Sequence, residues 1–355
     1  MADPPAIQTS RPTFAVDGTD SATLTGGLLR LRVRSDVHGL SNLEAEFGNW
    51  GPKGDASDFI FFDRALLDFG KELKVKLGTT PLFTGKITGL EARFPQGNAP
   101  SLVALAEDRF QDLRMTRRTR TFADVSDSDV FSQVAGDHGL TPSVGVSGPT
   151  HKVLAQVNQS DLAFLRERAR ALDAELWISD STMNVQPRSS RGGSPVKLTY
   201  GKELRELRVL ADLAAQATSV EVTGWDVAGK QALTEEVTDS VVSSELAGGD
   251  SGPSILKSAF GDRKDALANA VPQTSAEAHA RAEALLKRRA RRFLVGHGTA
   301  ETKPELVVGA TVTIAGVGPL FEGDFYIAAT EISFDGAVGM RTELELERPG
   351  LGKAA

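Results

Sequence analysis

Ser251 stands in Gly249-Asp-Ser-Gly-Pro253, one glycine short of the signature that surrounds a serine-protease nucleophile. Such a serine attacks a carbonyl only when the fold brings a histidine base and an orienting acid against it. His38, the first histidine, sits in Asp-Val-His-Gly-Leu, which lacks the sequence found around a catalytic histidine of that kind. The Gly/Ser/Pro composition explains the match as a turn. Ser254-Ile-Leu-Lys257 has the Ser-x-x-Lys spacing of penicillin-binding enzymes, but no Ser-Asp-Asn or Lys-Thr-Gly follows it. Asp124, Asp127 and Asp129 invite a calcium reading. With Asp124 as first ligand, however, the required glycine position holds Asp129 and the terminal glutamate position holds Ala135, so a helix-capping cluster is predicted instead. Gly316-Val-Gly318 runs into Pro319 and reaches Phe321 where a dinucleotide fingerprint needs glycine. The histidines, at 38, 138, 151, 279 and 297, show no ligand spacing. His-Glu-x-x-His, Gly-x-Ser-x-Gly and P-loop patterns are absent. Carboxylates are plentiful, but abundance alone does not set a pair across a scissile bond. The sequence thus predicts no catalytic, cofactor-binding or metal-ligating residue, no cofactor, no small-molecule substrate and no enzyme.

A chain of 355 residues is long enough for two or three domains and a large buried core. Its 40% hydrophobic and 25% charged residues are those of a soluble globular protein. The absence of cysteine excludes disulfides and thiolate metal sites and fits folding in a reducing compartment, the cytoplasm. No apolar run approaches the roughly 20 residues that cross a bilayer, so membrane insertion is not expected. Met1 to Phe14 carries three prolines and no apolar core of a signal peptide, and reads as an extended arm. A net charge of −7 argues against specific or general nucleic-acid binding, which needs a basic surface.

From Leu24 to Phe110 the pattern is β. Leu29-Arg-Leu-Arg-Val-Arg34, Leu43-Glu-Ala-Glu-Phe47 and Leu73-Lys-Val-Lys-Leu77 alternate as half-buried strands do, and Leu82 to Phe94 predicts two more short strands. Residues 114 to 178 switch to helical spacing. Asp127-Ser-Asp129 opens a helix that Gly139 ends, with His138 in the last turn where the dipole favours a cation. Arg188 to Pro195 reads as a linker. Strands resume at Val196–Tyr200, Leu204–Leu210 and Thr218–Asp226, and Trp225 reads as a core or rim aromatic. Glu245 to Ser254 reads as a flexible loop. Thr274 and Glu277 form a capping box for a helix reaching about Leu294, whose basic end, Lys287 to Arg292, reads as solvated and matched to the helix dipole. Strands close the chain, ending in Thr342-Glu-Leu-Glu-Leu-Glu347.

The stretch from Gln156 to Ile178 is the most specific. Ser160 can cap a helix and Asp161 suits its positive end; Leu162, Leu165, Ala169 and Leu172 follow at helical spacing, and Leu176-Trp-Ile178 are strand formers. Gln-x-Asn-Gln-Ser-Asp-Leu-Ala-Phe-Leu followed by an Arg/Ala helix and an aromatic strand resembles the baseplate hub family of contractile tails, the phage late control protein D type and the hub portion of VgrG-type spikes. Gly224-Trp-Asp226 is a second match at the expected distance, and the resemblance covers roughly residues 24 to 348. It implies a structural protein and symmetry adaptor, a homotrimer that joins a hexameric inner tail tube protein to a spike and contacts other baseplate components.

One phrase occurs twice. Val75-Lys-Leu77, Pro81-Leu-Phe-Thr-Gly85 and Glu91-Ala-Arg-Phe94 are matched in order by Val312-Thr-Ile314, Pro319-Leu-Phe-Glu-Gly323 and Glu331-Ile-Ser-Phe334. The expectation is an α+β chain in which one barrel-like unit is used twice. Residues 1–23 form an extended N-terminal arm and 24–113 a first β-barrel domain. Residues 114–187 form a mixed helix/strand middle domain and 188–195 a linker. Residues 196–348 form a second β-barrel domain with an inserted helix at 274–294, and 349–355 a short tail. The tail is too short for a needle, so a separate spike protein is expected to dock below. Two rival readings belong to other classes: a tail-associated cell-wall hydrolase, and a free-standing β-barrel module binding carbohydrate or peptide. The hub reading places the chain in a tail or injection particle after cytoplasmic assembly.

Overall fold

The computed structural model describes residues 11–227, 229–246, 248–268 and 271–352. The architecture is mixed α+β, and its frame is one 13-stranded sheet. Five strands come from the first third of the chain: β1 (Leu28–Asp36), β2 (Asn42–Gly48), β3 (Glu72–Leu77), β4 (Thr80–Arg93) and β5 (Ser101–Glu107). Five more come from the last part: β6 (Leu204–Ala211), β7 (Leu294–Glu301), β8 (Thr311–Ala315), β9 (Gly323–Asp335) and β10 (Gly339–Arg348). The first set lies side by side as β1-β2-β5-β4-β3 and the second as β6-β7-β10-β9-β8, the same order strand for strand.

The duplication holds at single residues. Val33 lies opposite Leu43, Leu43 opposite Ala106 and Ala106 opposite Ile87; Val209, Gly296, Leu346 and Ile327 form the matching row. A bulge interrupts β1 and β2 at Leu28/Arg30 and β6 and β7 at Leu204/Glu206. Another interrupts β4 and β5 at Ile87/Gly89 and β9 and β10 at Ile327/Ala329. Each adds a residue and bends the strand at the same place. At the second bulge the Ile87 carbonyl accepts from the Gly70 amide at 2.8 Å and its amide donates to Lys71 at 2.9 Å, while Ile327 makes the same two bonds with Gly309 and Ala310 at 2.9 Å. Leu82 to Phe94 is therefore one bent strand, not the two short ones its turn-like residues suggested.

The two halves are fused. β9 runs antiparallel to β1 with Ile332 opposite Val33 and Phe334 opposite Leu31. Ile332, Phe334 and Met340 are buried in the core of the first half, beside Phe14, Leu31 and Phe47. A second core fills the last half around Leu204, Leu294, Val312, Phe325 and Leu344. Between them residues 117–126 and 150–160 form a two-stranded ribbon that carries α1 (Asp127–Asp137) and α2 (Asp161–Ala171). Between β6 and β7 an insertion holds α3 (Gly252–Phe260) and α4 (Ser275–Arg291). There Ala278, Ala282 and Leu286 of α4 pack on Val220, Val222 and Val237 of a separate three-stranded sheet.

Several segments read as loose are tied down. Thr13–Val16, within the expected arm, pairs with β3 because Phe14 and Val16 have apolar surface to bury; residues 1–10 lie outside the described residues. In the expected linker, Arg188 stacks 3.6 Å over the Tyr326 ring and bonds Glu347 at 2.7 Å, and Arg191 stacks over Trp177 and bonds Glu175 at 2.8 Å. Gly350–Leu351, in the expected tail, pairs with Asp250–Ser251, in the expected flexible loop. The basic end of α4 is solvated at Arg288 and Arg292, but its charges are also paired and Arg291 is buried. Arg291 reaches Asp173 at 2.5 Å and Glu245 at 2.5 Å, Arg289 reaches Asp265, and Arg292 reaches Glu345 and Glu347, because every one of these carboxylates sits within arm's length of the helix end.

Arg291 is buried against two half-buried carboxylates, and it ties the insertion to the middle segment. Truncating it leaves two half-buried carboxylates facing each other without their cation. Arg291→Ala should cost about 3–5 kcal/mol in urea unfolding. The triple change Arg291→Met, Asp173→Asn, Glu245→Gln should recover most of that loss.

Candidate assembly surface

Strand alternation gives the large sheet two unlike faces. Leu31, Val33, Leu43, Ala45, Ile332 and Leu344 point to the cores. Arg32, Arg34, Glu46, Glu331, Glu343 and Glu345 point the other way. Arg32 bonds Glu331 at 2.6 Å and Arg34 bonds the same carboxylate; Arg93 bonds Glu46 at 3.0 Å and Arg341 bonds Glu301 at 3.3 Å. The sheet bends round this charged face, enclosing an open cavity of about 600 Å³ lined by Arg34 and Asn42 of one half and by Glu206, Arg208 and His297 of the other. In a small closed barrel the apolar side chains fill the inside. Here too the strands of each half gather their apolar side chains into one core, as a barrel-like unit does, and the charged residues lie on the opposite face.

Two of the sheet's open edges correspond to the pair joined inside the chain. Among the described residues β4 has a partner on only one side beyond Ile87, and β6 pairs only with β7. In the other half, the equivalents of these edges, β9 and β1, are paired with each other. The residue that follows β4 shows the lack of cover: Phe94 is 64% exposed, whereas its counterpart Phe334 is 8% exposed. Unpaired edges with apolar side chains are sites of strand addition.

The middle segment is built round two buried acids. Ser126 and Ser160 each cap a helix, and Asp127 and Asp161 follow them into the first turns, where the helix dipole favours a carboxylate. Asp127 accepts from Arg168 at 2.6 and 3.0 Å and lies 3.0 Å from His151 Nε2. Asp161 accepts from Arg120 at 2.9 Å and Gln156 at 2.8 Å, with His138 Nε2 at 2.8 Å and Arg118 at 3.1 Å. Burial alone would raise the Asp161 carboxyl, but the His138 and Gln156 bonds and the two arginine charges outweigh it and hold the group below the usual range. The Gln156-to-Asp161 motif is thus a structural device. Gln156 also donates to the Gln159 carbonyl at 3.0 Å, and Asn158 takes a left-handed φ of 47° at the ribbon's irregularity. Neither buried pairing was predicted; the repeated Ser-Asp at 126–127 and 160–161 was its available signal.

The middle segment docks on the first half at the turn between β1 and β2. Arg166 donates to the His38 carbonyl at 2.6 Å and to Gly39. Gly39 has φ +70° and a Cβ there would meet Leu176 O at 2.7 Å, so both its conformation and its closeness require glycine. Beside it Asp108 accepts from the Ser41 amide at 2.7 Å and the Phe110 amide at 2.9 Å; burial nevertheless pushes its carboxyl up to about 6. A raised folded-state value means that the native protein holds this proton more tightly than the unfolded chain. The contribution of Asp108 to stability is full below about pH 4 and is lost as pH rises through about 6. Relative to Asp108→Asn, the wild type should therefore lose about 2 kcal/mol between pH 4 and pH 7, read from paired urea titrations.

The residues that sequence singled out for chemistry are dispersed. Ser251 is buried at the start of α3, where its hydroxyl accepts from the Ser254 amide at 3.1 Å. Lys257 pairs with Asp262 at 3.2 Å. Asp124 pairs with Lys152, and Asp129 closes a capping box on Ser126. Gly316 and Gly318 lie in the turn that follows β8, and Trp225 is half-exposed. Among the described residues no group of three or more His, Asp or Glu side chains could hold a metal, and no helix is long and apolar enough to cross a membrane.

The family model described as the Alg8 N-terminal domain matches residues 33–334, and the chain belongs to that family. In sequence, no curated protein matches it. In structure it is similar to a 43 kDa tail protein of prophage MuSo2 from Shewanella oneidensis, with a TM-score of 0.71, 15% identity and coverage of 96% of this chain and 98% of that one. A tail protein from Neisseria meningitidis gives 0.67 at 13% identity, covering 96% and 97%. The E. coli c3393 protein, a component of the type VI secretion system with structural similarity to bacteriophage T4 tail proteins, gives 0.60 at 10% identity, covering 96% and 79%. At these identities the likeness is one of fold.

As a helix cap, Ser251 should matter for stability alone. Ser251→Ala should cost about 1 kcal/mol in thermal or urea unfolding. A fluorophosphonate probe should label neither protein; labelling of the wild type would reveal a nucleophile.

Proposed function

We propose that this protein is the hub of a contractile tail or injection machine, of the late control protein D type. In this reading three copies form a ring that joins a hexameric inner tube to a separate trimeric spike, among other baseplate components. The chain acts mechanically and carries no catalytic site. A fold shared with prophage tail proteins and a type VI component over nearly the whole chain supports a structural tail component.

The observation that carries the finer reading is the duplicated five-strand unit with one internal joint and two open edges. Inside the chain, β9 of one unit meets β1 of the other. The free stretch of β4 and the free edge of β6 are the same pair of surfaces, left for a neighbour. Repeating that contact head to tail generates a ring if the rotation closes. Three chains would supply six equivalent units, which matches a six-fold tube above while remaining three-fold for a spike below. The charged face would then line a central channel. An interface that withstands contraction calls for roughly 2,000 Å² or more of buried surface, within reach of paired strands and their side chains.

Native mass spectrometry of the protein, concentrated or bound to its tube and spike, tests this. Three copies per closed assembly are expected. A stable stoichiometry of two, four or six, or a monomer when bound to the tube, would overturn the reading.

A further inference from the structure

Phe94 is part of an exposed aromatic cluster with Trp50, Phe59 and Phe62. Trp50 packs edge-on to Phe59 at 5.2 Å, Phe59 stacks on Phe62 at 4.6 Å, and Phe94 meets both at 6.1 and 5.9 Å. Trp50 and Phe62 are themselves 49% and 37% exposed. A rim of aromatic rings left in water marks an interaction surface. We propose that this cluster docks a second copy of the same chain, through the segment from Tyr200 into β6. The inference rests on the ring reading above and adds the partner and the residues of the joint between copies.

The chain itself displays what covers such a position. With Ile87 aligned on Ile327, Ala92 corresponds to Ile332 and Phe94 to Phe334. Ile332 and Phe334 are buried under β1, opposite Val33 and Leu31, and Arg11, from the segment before β1, lies 5.7 Å over the Phe334 ring. The counterpart of β1 is β6. Transferring the internal register to a second copy sets Ala92 opposite its Val209 and Phe94 opposite its Leu207. Arg208 then falls beside Glu91, as Arg32 lies beside Glu331 in the internal joint. Tyr200, 53% exposed, lies four residues before β6 and adds an aromatic ring beside that edge.

The cluster belongs to one kind of joint only. Its other three rings sit in the long connection 49–71 between β2 and β3; the corresponding connection between β7 and β8 is only 302–310. The internal joint is closed by the chain's own connectivity. A joint between copies must also offset lost translational and rotational freedom, so added apolar surface belongs there and not in the internal one.

The chain contains no cysteine, so Ala92→Cys with Val209→Cys introduces the only two thiols, and peptide mapping distinguishes a 92–209 bond between copies from 92–92 and 209–209 bonds. Concentrated full-length protein under mild oxidation should give disulfide-linked copies, with the single variants as controls. Trp50→Ser with Phe62→Ser, and separately Tyr200→Ser, should weaken self-association at least tenfold in sedimentation while circular dichroism stays unchanged. No linked species at any concentration, or unchanged association in both variants, overturns the proposal. If three copies assemble with the cysteines still reduced and the aromatic variants neutral, the docking is wrong and the ring reading stands. If the disulfide forms within an assembly of another number, the docking stands and the ring reading falls.

Discussion

The antiparallel pairing of β9 with β1 is the contact on which the rest of the molecule depends. It turns two similar five-strand units, distant in sequence, into one sheet and places Ile332 and Phe334 inside the first half's core. Burying two side chains of that size contributes about 3–6 kcal/mol, before the cross-strand bonds are counted. That is a large share of the roughly 5–15 kcal/mol by which domains are stable. The middle segment and the insertion then bind across the fused frame: Arg166 on the turn at Gly39, Arg188 and Arg191 against β9 and Glu175, and Arg291 between Asp173 and Glu245.

The same pairing explains why the sheet has a charged hollow. Each unit keeps its core on one face, and fusing them edge to edge brings charged residues of both to a shared cavity. Glu331 sits at the seam, held by Arg32 and Arg34 across it.

Much of this was legible in residues. The alternation in β1, β2 and β3 and the caps at Ser160 and Thr274 mark real elements, because they rest on local geometry. The Pro-Leu-Phe-x-Gly phrase pointed to the duplication, yet Pro81–Gly85 lies within β4 while Pro319–Glu322 forms the turn before β9. The true correspondence runs through Ile87 and Ile327, two residues out of step. A stronger trace lies at β1 and β6: Leu28, Leu31, Arg32, Val33 and Asp36 recur as Leu204, Leu207, Arg208, Val209 and Asp212. It was hidden because residues 212–293 separate β6 from β7, so the following strands no longer fall at a matching distance. The buried ion pairs were beyond reach for a plainer reason. Arg291 and Asp173 are 118 residues apart, and no local pattern tells a charge that will be buried from one that will be solvated.

An electron-microscopy reconstruction of the assembled protein on its tube would test the central claim most directly. The account predicts a three-fold ring in which every copy's β4 runs antiparallel to the next copy's β6, so that six similar units surround one polar channel. A ring in which those two edges face solvent, or in which the charged face is buried against another domain, would contradict it.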